Sequence, residues 1–388
     1  MDAIEYAYKE KKIDGNIYHP IVKSTGAELV KGVDAGYGIL QDADFDSPDY
    51  IMREYLKKNV WKFAVAKNYN DCIRLSNLLI REDGSLRPWN EFKREAQRVV
   101  GDSCRYLKTE YDTIVASAQM SRLWNEIQRD KHIFPLVQFI VVMDGLTSEI
   151  CSPLHNVIVK VDDPKLQYYF PPNHFNCRTS VKKLRSGRVT EEISWPEIPE
   201  AFKNNAGVSG LIFTDENAYI KNTPQKLLSD VDYYEEDGIS ISSNAEKFST
   251  SPTERKRQRI DFENRKQAAK TLHEFYKKEK HISVMPEIRP DHWAYDIHFE
   301  GAKPNKVPDI KVNNEFWEVE SYEGKFKIRK LGHMIKEGEL QADNVIIKLN
   351  HNIPLNQIEN QMTKLIFNAK TVFIINKNGT IIFKHEKK

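Results

Sequence analysis

The chain has 388 residues, 40% hydrophobic and 29% charged, with a net charge of +2. That length suits two or three domains with real apolar cores. Four cysteines are too few and too dispersed for a disulfide framework and suit a reducing compartment. The opening MDAIEYAYKEKKIDG lacks the apolar stretch of a signal peptide, and no run approaches the ~18 apolar residues of a transmembrane helix, so a secreted or membrane protein is not expected.

The small net charge conceals an asymmetry. Residues 251–388 hold 26 basic and 19 acidic side chains, against 32 basic and 37 acidic in the rest. A basic C-terminal part on an acidic body points to separate jobs, with polyanions as partners of the basic part. A solvated lysine-rich surface would give the same count.

Residues 1–50 show weak periodicity and scattered glycine and aspartate, which reads as an extended arm or a loosely packed start. From Pro48 to about Asn77 the pattern is helical. The stretch SLRPWNEFKREAQRVVGD carries helix-start signals and apolar residues at Trp89, Phe92, Ala96 and Val99. The next helix, residues 105–130, has an apolar face of Leu107, Tyr111, Val115, Ala118, Trp124 and Ile127. FPLVQFIVVMDG then reads as a strand ending near Asp144, followed by loops and a return to a short strand after Cys177.

Residues 224–253, with SDVDYYEEDG and a serine-rich continuation, read as an acidic linker. Beyond it come a basic helix, a strand (HISVMPEI), the pair DIKV and FWEVES, a helical region from about Arg329 to Gln341, the strand NVIIKL, a further helix, and a hairpin around Asn-Lys-Asn-Gly. The expected fold is multidomain. A mainly α-helical N-terminal and middle part (51–223, after the arm) with a small β element is joined to an α+β C-terminal domain (254–388).

Two constellations carry chemistry. The first is Cys151 and His155 with His174 and Cys177, a C-x3-H…H-x2-C arrangement of soft and borderline donors suited to tetrahedral zinc. Buried thiols and loop histidines pinning a long excursion by hydrogen bonds, or a Cys151–Cys177 disulfide, are the other readings.

Around it, YLKTEYDTIVASAQMSRLW, the strand ending in Asp144, TSEICSPLH, VDDP and PPNHFNCR occur in an order that resembles the Mu F-like head morphogenesis (minor capsid) family of tailed phages. The resemblance covers roughly residues 50–220. The turn after Asp144 reads GLTS where many members carry arginines, while Arg178 after Cys177 is retained. The resemblance implies a virion protein acting in head assembly near the portal. Its partners would be portal and capsid proteins. It would be made in the host cytoplasm, sit inside the capsid and be delivered with the DNA.

The second constellation is in the tail. Asp309 follows a proline, and Glu318 and Glu320 alternate on a strand, so both point one way while Trp317 and Val319 point the other. Carboxylates that fix a divalent metal beside a cation that holds phosphate are what phosphodiester cleavage requires. Lys325, Lys327 and Lys330 are candidate nucleic-acid contacts, Arg329 and Gln341 candidate site residues, and His333 a candidate acid or base. Outward glutamates matched by nearby lysines would be ordinary surface chemistry.

The order of these elements is similar to C-terminal nuclease toxins on contact-dependent inhibition proteins and phage Mu F-like proteins. These span metal-dependent PD-(D/E)xK-like folds and a metal-independent ribonuclease group related to barnase and colicin-type toxins. Asp309 and Glu318 match the acidic positions, and Glu320 stands where the metal-dependent group has lysine. The resemblance implies a nuclease, RNA being the favoured substrate, with an immunity protein as a further partner. A purely structural virion protein, whose basic tail is a non-catalytic interaction or DNA-contact module, is the alternative.

Overall fold

Long helices build the first part of the chain. In the computed structural model, which describes residues 3–10, 17–38, 48–245, 249–322, 327–351 and 353–387, α1 (Ala3–Glu10), α2 (His19–Tyr37), α3 (Pro48–Leu79) and α4 (Trp89–Asp130) precede the first strand. The chain divides at Leu228/Ser229 into two compact units.

Helix α4 joins two segments read separately in the sequence. Gly101 does not interrupt it, and its 42 residues span about 60 Å. Its two ends bury different faces. Phe92 and Ala96 pack with α1 and with Cys72, Leu75 and Leu79 of α3, whereas Trp124 and Ile127 pack under the small sheet.

Among the described residues of the expected arm, Ala3–Glu10 and His19–Tyr37 are helical rather than extended. Helix α2 buries Val22, Leu29, Val33 and Tyr37 against its neighbours. Its glycines, read as looseness, let backbones approach. A Cβ at Gly36 would lie 2.3 Å from the carbonyl oxygen of Val115 on α4. Lys67 of α3 and Glu110 of α4 form a buried ion pair, Nζ to Oε1 at 2.8 Å.

The small β element is a three-stranded antiparallel sheet in the order β2-β1-β3, formed by β1 (Leu136–Val141), β2 (Ile158–Lys160) and β3 (Thr179–Leu184). Its core holds Val137, Phe139, Val159 and Val181 with Leu154, Leu166 and Phe170. Single-turn helices follow the chain: α5 (Leu166–Tyr169), α6 (Ala206–Ser209), α7 (Ala218–Lys221) and α8 (Gln225–Leu228). Asn205 and Asn217 cap α6 and α7 through their side chains.

The second unit is built on a mixed eight-stranded sheet, β11-β10-β9-β8-β7-β6-β5-β4. The segment expected as a linker contributes two of its strands, β4 (Tyr233–Glu236) and β5 (Ile239–Ser242). Asp237 and Gly238 between them both have positive φ, the geometry of a two-residue hairpin turn. Ile239 and Ile241 are fully buried, so a short strand lies within what reads as polar sequence.

Helix α9 (Pro252–Phe275) leads into the antiparallel meander β6 (Ile282–Val284), β7 (Ile310–Val312) and β8 (Glu315–Tyr322), with α10 (Tyr295–Phe299) in the β6–β7 excursion. Helix α11 (Lys330–Gln341) returns the chain to β9 (Asn344–Leu349), parallel to β8. Helix α12 (Leu355–Met362) leads to β10 (Thr371–Ile375), parallel to β9, and β11 (Ile381–Glu386) closes the edge antiparallel.

Every residue of β9 is buried, as a central parallel strand covered on both faces requires. On one face Trp317, Val319, Ile346 and Phe373 pack with Phe262, Ala268 and Leu272 of α9. On the other, Val345, Ile347, Val372 and Ile374 pack with Leu331 and Ile335 of α11 and Ile358 of α12. This is an α/β/α sandwich, and the tail is α+β as expected. Among the described residues no helix is long and apolar enough to cross a membrane.

Candidate functional site

In the second unit, strand pairing places the tail carboxylates. Ile310 pairs with Trp317 in the β7–β8 ladder, which sets Asp309 near Glu318. One oxygen of Asp309 accepts the backbone N–H of Val319 at 2.9 Å. The other lies 3.8 Å from Nε of Arg265 on α9. That guanidinium is 3% exposed and also meets Glu287 at 2.8 Å and Asp261 at 3.2 Å.

Arg265 was not expected from the sequence. It lies in a basic run that reads as a solvated face. The missed signal is spacing, because Arg265 falls between Phe262 and Ala268/Ala269 on the stripe that continues to Leu272. A charge at an apolar-stripe position needs buried partners.

The cluster is short of positive charge. Burial first, then the neighbouring Asp309 and Glu320, push the Glu318 carboxyl up to about 10, against the opposing pull of Arg265. One Glu318 oxygen, Oε2, is buried with no hydrogen-bond partner. Burial likewise raises Asp309 to about 7, opposed by Arg265 and the Val319 N–H. Glu320 is raised by burial and then by Glu337, while His333 acts in the opposite direction. The unit thus holds one carboxyl, Asp309, that titrates near neutral pH, the condition for general acid–base work.

The other tail candidates sit apart from this cluster. His333 is 76% exposed, 3.7 Å from Glu337, and reaches the site only through its field on Glu320. Arg329 and Lys327 are exposed before α11, and Gln341 ends that helix, partly buried. The Lys330 ammonium stacks over the Tyr322 ring, 3.4 Å from its centre. Lys325 lies outside the described residues.

The first unit holds a different cluster. Cys151 Sγ lies 3.2 Å from His174 Nε2 and 3.6 Å from Cys177 Sγ. Among the described residues, Cys151, His174 and Cys177 are the metal-ligand group whose donor atoms all fall within 4.8 Å of one another. His155 is exposed and stands outside it. The His174 Nδ1–H donates to the Phe175 carbonyl at 2.7 Å, which leaves Nε2 facing Ser148 Oγ at 2.7 Å and the thiols. The pair loses one proton easily and holds the other between its sulfurs. Cys151 is lowered to about 6, chiefly by the hydrogen bond from Cys177, and Cys177 is raised in turn.

The loops carrying these residues are also joined by a bidentate ion pair. Arg178 donates to both oxygens of Asp144, at 2.7 and 2.5 Å, and this contact holds Asp144 down to about 2.

Comparison with known proteins places this region. Residues 89–182, from the start of α4 into β3, match the family model described as Phage Mu protein F like protein. Over 143 residues the chain is 28% identical to "Putative capsid assembly protein F" of Escherichia phage Mu, covering 35% of this chain and 33% of that protein. The chain therefore spans about a third of the length of the curated relative it matches. No solved structure matches. The thiol cluster and the Asp144–Arg178 pair lie within the matched residues.

Proposed function

We propose that the first unit serves phage head assembly and that the second is a nuclease-like effector domain carried with it. The Mu F-like segment in α4 to β3 supports the first half. Its partners on this reading are capsid and portal proteins, and its place is the capsid interior near the portal.

The observation that carries the second half is the buried group of Asp309, Glu318 and Arg265, with an unpartnered carboxylate oxygen and proton affinities raised toward or beyond neutrality. Such an arrangement is costly to bury and has no structural need for its orphan oxygen. In phosphodiester cleavage Asp309, titrating near neutrality, exchanges the proton of the attacking or leaving oxygen. Arg265 holds that carboxylate in place, and Glu318 supplies a second proton-bearing group. Among the described residues, Asp309, Glu318 and Glu320 do not bring three donor oxygens within 4.8 Å of one another, so no step is drawn through a divalent cation. The favoured substrate is RNA, drawn by the excess of basic residues in the tail.

The test is expression of the full chain in a bacterial host beside Asp309→Asn and Glu318→Gln, with total RNA and DNA resolved on gels. Growth arrest with discrete RNA fragments, lost in both variants, supports the nuclease. Intact nucleic acid and normal growth with soluble, folded protein leave the tail as an interaction module.

A further inference from the structure

The geometry points to a metal site that does not depend on the nuclease reading: Cys151, His174 and Cys177 bind one zinc ion, with water as the fourth ligand. The ion would clasp the loop between β1 and β2 to the loop before β3. We rest this on the placement of the donors and on what surrounds them.

The sulfurs of a tetrahedral site with Zn–S near 2.3 Å stand about 3.8 Å apart, and here they are 3.6 Å apart. A disulfide needs about 2.05 Å, and both cysteines are free thiols. The imidazole is oriented for ligation. Its Nδ1–H is committed to the Phe175 carbonyl, which leaves Nε2 unprotonated and facing Ser148 Oγ at 2.7 Å and Cys151 Sγ at 3.2 Å. Fixing the far nitrogen in this way is what holds a metal-ligating histidine in one tautomer.

Ser148 Oγ accepts the Cys151 N–H at 3.1 Å, and its O–H donates to His174 Nε2 at 2.7 Å, the hydrogen bond that a metal would replace. Next to His174, the fully buried Asn173 amide has no hydrogen-bond partner for either polar atom. Three protein donors with a polar, partly exposed margin match a site that completes its shell with solvent.

The test uses the full chain, purified under reducing conditions from zinc-supplemented medium. Metal content by mass spectrometry should give one zinc per chain, lost in Cys151→Ser, His174→Ala and Cys177→Ser and kept in His155→Ala. Cobalt substitution should give a thiolate-to-cobalt charge-transfer band with tetrahedral d–d intensity, a readout that loss of folding cannot mimic. In the unmutated protein, alkylation should spare Cys151 and Cys177 until a chelator is added, while the exposed Cys104 reacts throughout. Protein that is folded yet metal-free, with both thiols reactive before chelation, overturns the site. So does peptide mapping that finds Cys151 and Cys177 joined as a disulfide in the folded chain.

Discussion

The Arg265 guanidinium lies 3.8 Å from a carboxylate oxygen of Asp309, and it is the buried cation among Asp261, Glu287, Asp309 and Glu318. Asp261 and Glu287 are half exposed, but Asp309 is only 15% exposed, and removal of the guanidinium leaves its charge with nothing to offset it. Arg265→Met should destabilise the second unit by about 3–5 kcal/mol near pH 8, the usual cost of breaking a buried pair. Adding Asp309→Asn should recover part of the loss. Hydrogen exchange of peptides from β7 to β9, single and double variants compared, reads the coupling. Additive losses would show that the two side chains act independently.

The raised carboxyls make this unit's stability depend on pH with a definite sign. An unfolded glutamate titrates near 4.3, whereas folded Glu318 is held up at about 10. The folded state therefore binds the extra proton, and this contribution falls as pH rises from about 4 toward 10. Glu318→Gln keeps the shape and removes the linkage. It should stabilise the unit at pH 8 by about 1–3 kcal/mol, with little gain at pH 4, while abolishing cleavage. Urea titrations at the two pH values test it, and a loss of stability at pH 8 would contradict the proton assignment.

In the first unit, the buried Lys67–Glu110 pair invites the complementary experiment. Burial raises the Glu110 carboxyl while Lys67 opposes the rise. Lys67→Met should cost about 3–5 kcal/mol at pH 7 and less as the pH falls and Glu110 takes up a proton, pH 5 being the comparison. Slowed exchange in α3 and α4 should be lost in the variant at pH 7. An equal loss at both pH values would show that the cost is packing around the lysine stem.

Helix α2 offers a steric test. An alanine Cβ at position 36 would meet the Val115 carbonyl oxygen at 2.3 Å, a backbone atom that cannot swing away. Gly36→Ala should destabilise the α2–α4 contact by about 1–3 kcal/mol or more, although alanine favours helix by about 1 kcal/mol. Thermal unfolding of the two proteins decides the sign, and a stabilised variant would place α2 farther from α4.

Much of the element order was legible in the sequence because its signals are local. Helices α3 and α9, the strands NVIIKL and FWEVES and the last hairpin follow from period and turn chemistry. Local signals also misled. The glycines of α2 reduce helix propensity in isolation and are repaid only by a neighbouring backbone. The Asp237-Gly238 turn was visible, but acidic and serine residues around it masked the alternation of Ile239 and Ile241.

The sequence alone determined which side chains were available: the carboxylates of PDIKVNNEFWEVES, the paired cysteines and histidines, and the basic tail. Tertiary structure decided their company. It set His155 apart from the thiol cluster, left Arg329 and His333 at the surface, and brought Arg265 from a distant helix to Asp309. The reason is physical. Periodicity fixes which face a residue occupies on its own element, whereas the charges and donors it meets depend on the elements packed against that face, and desolvation gives those encounters their energy.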